Sequence, residues 1–119
     1  MKGTDEIRSI IKERIKNLKY PNSPESLYQP IKYIMNLPSK RMRPLLVLMA
    51  HQLFDENIED GIYPALAIEF FHNFTLLHDD IMDNAPIRRG SATVHEKWNN
   101  NIAILSGDVM MIYAYQLIS

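Results

Sequence analysis

Apolar side chains recur every three or four residues along most of this chain, and nowhere do they alternate in twos. Ile7, Ile10, Ile11, Ile15 and Leu18 make one such series, and Leu27, Ile31, Ile34 and Met35 make the next. That spacing lines one side of a helix, whereas a half-buried strand needs strict alternation. An all-α fold of about five helices follows. The first ends at Pro21 to Pro24, with Thr4 as a candidate cap. The second opens at Pro24, capped by Ser23; Pro30 lies too late for its first turn and predicts a kink or a later start. The third, from Arg43 to Phe54, has Pro44 in its first turn and is apolar nearly all round, which predicts a central position. The fourth runs from Ile62 to Asp83, followed by a turn from Asn84 to Gly90. A short helical piece near His95 to Trp98 then precedes a fifth helix from about Asn100. Its apolar stride is unbroken at Ser119, with no glycine, proline or cap to stop it, so the reading is a single truncated helical domain over residues 1–119.

Composition narrows the class. With 119 residues, 46% of them apolar, the chain can fold around one modest core. A formal charge of -1 gives no global attraction to nucleic acid, which is excluded as a partner. There is no cysteine, so disulfides, thiolate metal sites and cysteine nucleophiles are ruled out. The charged N-terminus is unlike a secretory signal, and no run is expected to reach the roughly 18 apolar residues of a transmembrane segment. A cytoplasmic protein is the expectation.

The chemistry concentrates at the end of the fourth helix, where Asp79, Asp80 and Asp83 form an Asp-Asp-x-x-Asp cluster, followed by Arg88 and Arg89. Three carboxylates within about one turn repel unless a cation lies among them. With His72 at zero and about 100° per residue, Asp79 falls near -20° and Asp83 near +20°, while Asp80 lies about 80° away. Asp79 and Asp83 can thus flank one divalent metal, and oxygen ligands suit Mg2+. Spacing alone fits a solvated helix end equally well. A second basic group, Lys40, Arg41 and Arg43, opens the third helix, where cations oppose the macrodipole but a bound phosphate would reconcile them with the helix N-terminus. Alone, it also reads as a surface charge run.

The ordered set Ser39-Lys40-Arg41-Met42-Arg43-Pro44, then Glu69 to His72 and His78-Asp79-Asp80-Ile81-Met82-Asp83, then Arg88-Arg89-Gly90, resembles the trans-isoprenyl diphosphate synthases, or polyprenyl synthetases. His95 and Ala103 to Asp108 also fit, so the resemblance covers the chain from about Leu27 onward. It implies the N-terminal part of the isoprenoid synthase helical bundle and a prenyltransferase that condenses isopentenyl diphosphate with an allylic diphosphate. By that resemblance Asp79 and Asp83 hold Mg2+ with Asp80 in support. Arg88 contacts the allylic diphosphate, and Lys40, Arg43, His72 and Arg89 hold isopentenyl diphosphate. Family members are usually homodimers, to which Tyr113 and Tyr115 could contribute.

Phe74, five residues before Asp79, and Phe71, eight before, occupy the family's chain-length positions, with Thr75 beside them. A bulky ring there resembles short-chain synthases that make farnesyl or geranylgeranyl diphosphate, and the geranylgeranyl product is the expectation. Pro38-Ser39 departs from the glycines usual before the basic motif. The chain also stops before the family's second aspartate-rich motif, which implies that alone it does not catalyse elongation. Alternatives are a non-catalytic substrate-binding subunit of a heteromeric synthase and a helical interaction module. Of the remaining residues, His78 is expected to make a structural hydrogen bond, and His95 and Lys97 to lie at the surface or pack in a loop, with a place near substrate as the alternative. Trp98 is expected to anchor packing and Asp108, in an apolar helix, to have a partner. Met42, Met49, Met110 and Met111 are expected to fill the core.

Overall fold

A computed structural model describes all 119 residues. Six helices, α1 (Thr4–Lys16), α2 (Glu25–Met35), α3 (Met42–Gln52), α4 (Glu59–Asp83), α5 (Val94–Lys97) and α6 (Asn100–Ile118), make up an all-α fold. Between α4 and α5 lies a hairpin of two short strands, β1 (Ile87–Arg88) and β2 (Ser91–Ala92), antiparallel with Arg88 opposite Ser91. That hairpin replaces the plain turn expected there. Its two loop residues, Arg89 and Gly90, have φ of 51° and 78°. Positive φ at both loop positions is what a two-residue hairpin turn requires to follow the strand twist.

The apolar stripes go where their spacing directs them. Ile7, Ile11 and Ile15 of α1 are buried, as are Ile31, Ile34 and Met35 of α2. Each such side chain contributes on the order of 1.5–3 kcal/mol when withdrawn from water. α6 lies along α4 over most of its length; α3 packs between α4 and α1, and α2 leans on α6. Gly61 allows α3 and α4 to approach closely, since a Cβ there would lie 2.9 Å from His51 Cγ and 3.0 Å from Leu48 Cδ2.

Several expectations are corrected. α1 is preceded by Gly3, with no side-chain cap from Thr4, which is itself the first helical residue. Pro24 rather than Ser23 stands at the start of α2, and the helix starts before Pro30 and continues past it, with the proline ring buried. The absent N–H of Pro30 costs one helical bond. α3 is not central. Although α1 and α4 flank it, its outer face is uncovered: Leu46 is exposed, as are Leu53 and Phe54 just past its end, Phe54 with 91% of its surface exposed. Met42 is exposed as well, whereas Met110 is in the core. Asp108 is exposed and takes part in no ion pair, because the face of α6 that carries it meets no other element. α6 is also long and apolar enough to cross a membrane by length and composition, with a mean hydropathy of 1.3. The expectation that no segment reaches that threshold does not hold; the helix that packs along α4 passes the same test.

Candidate functional site

α4 presents two polar stripes, and the fold treats them differently. Glu69, Asn73 and Asp80 are buried and lie at about 60°, 100° and 80° on the helical wheel that puts His72 at zero. His72, Asp79 and Asp83 share the other stripe, which opens to solvent, with His72 half-buried and both aspartates exposed.

Each member of the buried stripe receives one arginine from a distant segment. The Arg41 guanidinium donates from Nη1 to Glu69 Oε2 at 3.2 Å, with Arg41 and Glu69 only 7% and 2% exposed. Arg89 Nη1 donates to Asn73 Oδ1 at 3.3 Å. Arg88 grips Asp80 with two bonds, Nε to Oδ2 and Nη2 to Oδ1, both 2.8 Å. Asn73 closes the row, its Nδ2 donating to Glu69 Oε1 at 3.2 Å and to the Glu69 carbonyl at 2.8 Å. Buried charges survive only when paired and hydrogen-bonded in this way.

Local backbone geometry sets up the row. Arg41 has φ 50° just before α3, so its side chain turns inward while its neighbours Lys40 and Arg43 stay exposed. Arg41 also donates through Nη2 to the carbonyls of Met35 and Leu37, at and just beyond the end of α2, where a cation complements the helix dipole. At the hairpin, Arg88 lies on β1 and Arg89 in the turn, and the two adjacent arginines go to different partners. A non-glycine residue at positive φ costs roughly 1–2 kcal/mol, and such strain gathers at functional sites. The hairpin is braced by Tyr33 Oη donating to the Ala92 carbonyl at 2.7 Å and by Thr93 Oγ1 donating to the Ala85 carbonyl at 2.7 Å. Lys97 lies over the Tyr33 and Trp98 rings, which meet edge to face, so Trp98 anchors packing as expected.

The open stripe faces cations. Arg43 Nη1 is 3.2 Å from His72 Nε2. An arginine can only donate, so this ring nitrogen accepts and a neutral ring carries its proton on Nδ1. Burial lowers the His72 pKa first, then Arg43, with Arg89 and Arg88 adding to the effect against Glu69. The Arg89 pKa is also lowered, by burial first and then by Arg41. That of Arg88 is raised, chiefly by its bonds to Asp80, with Asp79 and Asp83 contributing. Arg43, His72, Arg88 and Arg89 therefore lie close enough to share one electrostatic environment, with Asp79 and Asp83 beside Arg88. Asp79 and Asp83 make no hydrogen bond or ion pair within the chain and stand at the negative end of the α4 dipole. Carboxylates so placed suit a divalent cation. No three acidic or imidazole groups converge on one point, however, so these two are at most part of a coordination shell. Asp80 is engaged by Arg88, whereas Asp79 and Asp83 are not. Lys40 is exposed, and its carbonyl accepts a bond from Arg8 Nε at 2.9 Å.

Phe71 and Phe74 pair at 5.8 Å, and Phe74 lies edge-on to His78 at 4.8 Å, so His78 packs on a ring and makes no hydrogen bond. Phe74 also meets α6 where Gly107 leaves space. Farther from the aspartates, Phe71, Ile68, Ala67 and Pro64 line an apolar cavity of about 320 Å3 with Ala114, Tyr115 and Ile118. Thr75 Oγ1 is committed to the His72 carbonyl at 2.6 Å. Tyr113 packs against Phe70 and Tyr20, while Tyr115 is exposed. His95 is buried with neither ring nitrogen hydrogen-bonded. Sequence reasoning missed Glu69, Asn73 and the inward turn of Arg41. The signal was present: Glu69 and Asn73 interrupt the buried face between Leu66, Phe70 and Leu77, where a polar residue needs a partner.

The scaffold is an all-helical bundle that sets two carboxylates one turn apart beside four basic groups. Comparison identifies it: the polyprenyl synthetase family model matches residues 24–119, and the chain belongs to that family. It is 38% identical over 110 residues to a geranylgeranyl pyrophosphate synthase of Geoglobus acetivorans, covering 92% of this chain and 34% of that one. To a geranylgeranyl diphosphate synthase of Methanosarcina mazei it is 39% identical over 118 residues, covering 97% and 36%. A crystal structure of a geranylgeranyl pyrophosphate synthase superposes with a TM-score of 0.93 at 47% identity, covering 98% of this chain and 36% of that one. The chain thus spans about a third of the length of the relatives it matches.

Proposed function

We propose that this chain carries the first diphosphate-binding half of a short-chain prenyltransferase, one that condenses isopentenyl diphosphate with an allylic diphosphate to a geranylgeranyl or farnesyl product. The observation that carries the reading is the grouping of Arg43, His72, Arg88 and Arg89 against the unpaired carboxylates of Asp79 and Asp83. In this reading Asp79 and Asp83 would hold Mg2+, whose preference for oxygen ligands they match. When bound, Mg2+ supplies charge stabilisation to the departing diphosphate. Arg88 uses Nε and Nη2 on Asp80 and keeps Nη1 for a diphosphate oxygen. Asp80 is then a positioning residue that aims Arg88. Lys40, Arg43, Arg89 and the Nδ1–H of neutral His72 bind the second diphosphate. Phe71 and Phe74 shield the site from water and set the floor beneath the growing chain, with the cavity beyond Phe71 as the space a longer product would enter.

The same reading makes the working protein a cytoplasmic homodimer, supported by the outward apolar residues Leu105 and Ile112 of α6. It also predicts that the 119 residues alone do not turn over. Calorimetric titration of the chain with inorganic diphosphate, with and without Mg2+, tests the metal site. Mg2+ should add a binding event that is lost in Asp79→Asn/Asp83→Asn; titrations that Mg2+ leaves unchanged, or a Mg2+-dependent event that survives this pair of changes, sink the assignment. An assay with Mg2+, isopentenyl diphosphate and geranyl diphosphate should show no product, and elongation by the chain alone refutes the half-site reading.

A further inference from the structure

A second cationic cleft lies outside the site just described. It has a volume of about 530 Å3 and runs between α1 and the segment joining α2 to α3. Arg8, Lys12 and Lys16 line one side, and Asn36, Ser39 and the buried Arg41 the other. No carboxylate lines it.

The charges on α1 are largely sorted, with Asp5, about 60° from Arg8, the one acid on the basic side. Taking Arg8 as zero at about 100° per residue, Lys12 and Lys16 fall near 40° and 80°, on the shoulder of the buried Ile7, Ile11 and Ile15 stripe. Glu6 and Glu13 fall near 160° and 140°, on the outer face. Lys2 pairs with Glu6 and Arg14 with Glu59, but Lys12 and Lys16 have no ion-pair partner. Arg8 has only a loose one, 3.8 Å from the fully exposed Asp5. Like charges four apart on a helix repel, so the arrangement opposes helix stability unless an anion occupies the cleft. Asn36 and Ser39 add hydrogen-bonding side chains, and Arg8 ties the cleft to the site through the Lys40 carbonyl.

We propose that this cleft binds a multiply charged phosphate anion of the size of diphosphate, held by Arg8, Lys12 and Lys16 without a metal. Such an anion would sit behind the segment that presents Lys40. The test is a titration of the isotope-labelled chain with sodium diphosphate in chelator, at ionic strength held constant with sodium chloride, followed by amide chemical shifts. Saturable shifts at residues 8–16 and 36–41 are expected. They should persist in Asp79→Asn/Asp83→Asn and weaken at least tenfold in Lys12→Glu/Lys16→Glu. Should that variant fail to fold, Lys12→Gln and Lys16→Gln singly should each weaken the shifts. Shifts that are absent, that sodium chloride reproduces, or that the lysine variants leave intact overturn the proposal. Because chelator removes any Mg2+-dependent binding, the cleft and the aspartate site succeed or fail separately.

Discussion

Replacing Arg41 with Met should destabilise the chain severely, and the structure says by how much. Arg41→Met leaves the Glu69 carboxylate, 2% exposed, without its counter-charge. Breaking one side of a buried ion pair costs roughly 3–5 kcal/mol. The Met35 and Leu37 carbonyls also lose their donor, at about 1–3 kcal/mol for each one left dry. A domain of 119 residues is stable by roughly 6–18 kcal/mol at ~0.05–0.15 kcal/mol per residue. The single change therefore removes a large share of that total. Glu69→Gln should cost less, because the amide oxygen still accepts from Arg41, although the amide NH2 then faces the Asn73 donor. In Arg41→Met/Glu69→Gln the stranded charge is gone, so the pair should cost less than the sum of the singles by at least about 1.5 kcal/mol. Urea unfolding followed by circular dichroism measures all four corners of the cycle. A cost below about 1 kcal/mol for Arg41→Met, or additivity within ~0.5 kcal/mol, refutes the buried pair as a structural element.

Other expectations follow from the same geometry. The His72 imidazole should titrate below the ordinary histidine value by nuclear magnetic resonance, and Arg43→Ala should bring it part of the way back, since burial remains the larger cause. Because the unfolded chain takes up this proton more readily, His72 leaves stability intact above pH ~6.5 and lowers it as pH falls from there toward the folded value; stability rising on acidification through that window contradicts the assignment. Added diphosphate should raise the His72 value if the anion binds beside it. Arg89→Asn should leave stability within about 1 kcal/mol of the parent, because relief of the positive φ offsets the lost bond to Asn73. Diphosphate affinity should nonetheless fall, and a variant that binds as well as the parent removes Arg89 from the site. Gly61→Ala gains about 1 kcal/mol of helix propensity but overpacks Leu48 and His51 at a cost of roughly 1–3 kcal/mol. A lowered unfolding midpoint and loss of the His51–Asn57 contact are expected; a raised midpoint means that α3 yields freely.

Much of the site was legible before the fold was known. The shared phase of His72, Asp79 and Asp83 could be worked out by counting, and these residues do lie on one open face of α4. The same count put Asp80 on a different face, yet its partner Arg88 lies across a chain reversal that the Asn84–Gly90 stretch disguised as a simple turn. The inward aim of Arg41 was hidden more deeply. Lys40, Arg41 and Arg43 look alike in sequence, and only the left-handed backbone at Arg41 separates one buried guanidinium from two exposed cations. The exposure of α3 was misread because an apolar residue list cannot say how many neighbours a helix has.

The sequence by itself determined the helices, their buried stripes and the cluster of chemical groups near Asp79, because helical phase is a local property with a known angle per residue. Tertiary structure alone decided the pairing of Arg41 with Glu69, Arg89 with Asn73 and Arg88 with Asp80. Those partners are 28, 16 and 8 residues apart. Which guanidinium reaches which buried oxygen depends on how α2, α3 and the hairpin pack around α4. That packing also leaves Asp79 and Asp83 as the two carboxylates of the cluster without a partner in the chain.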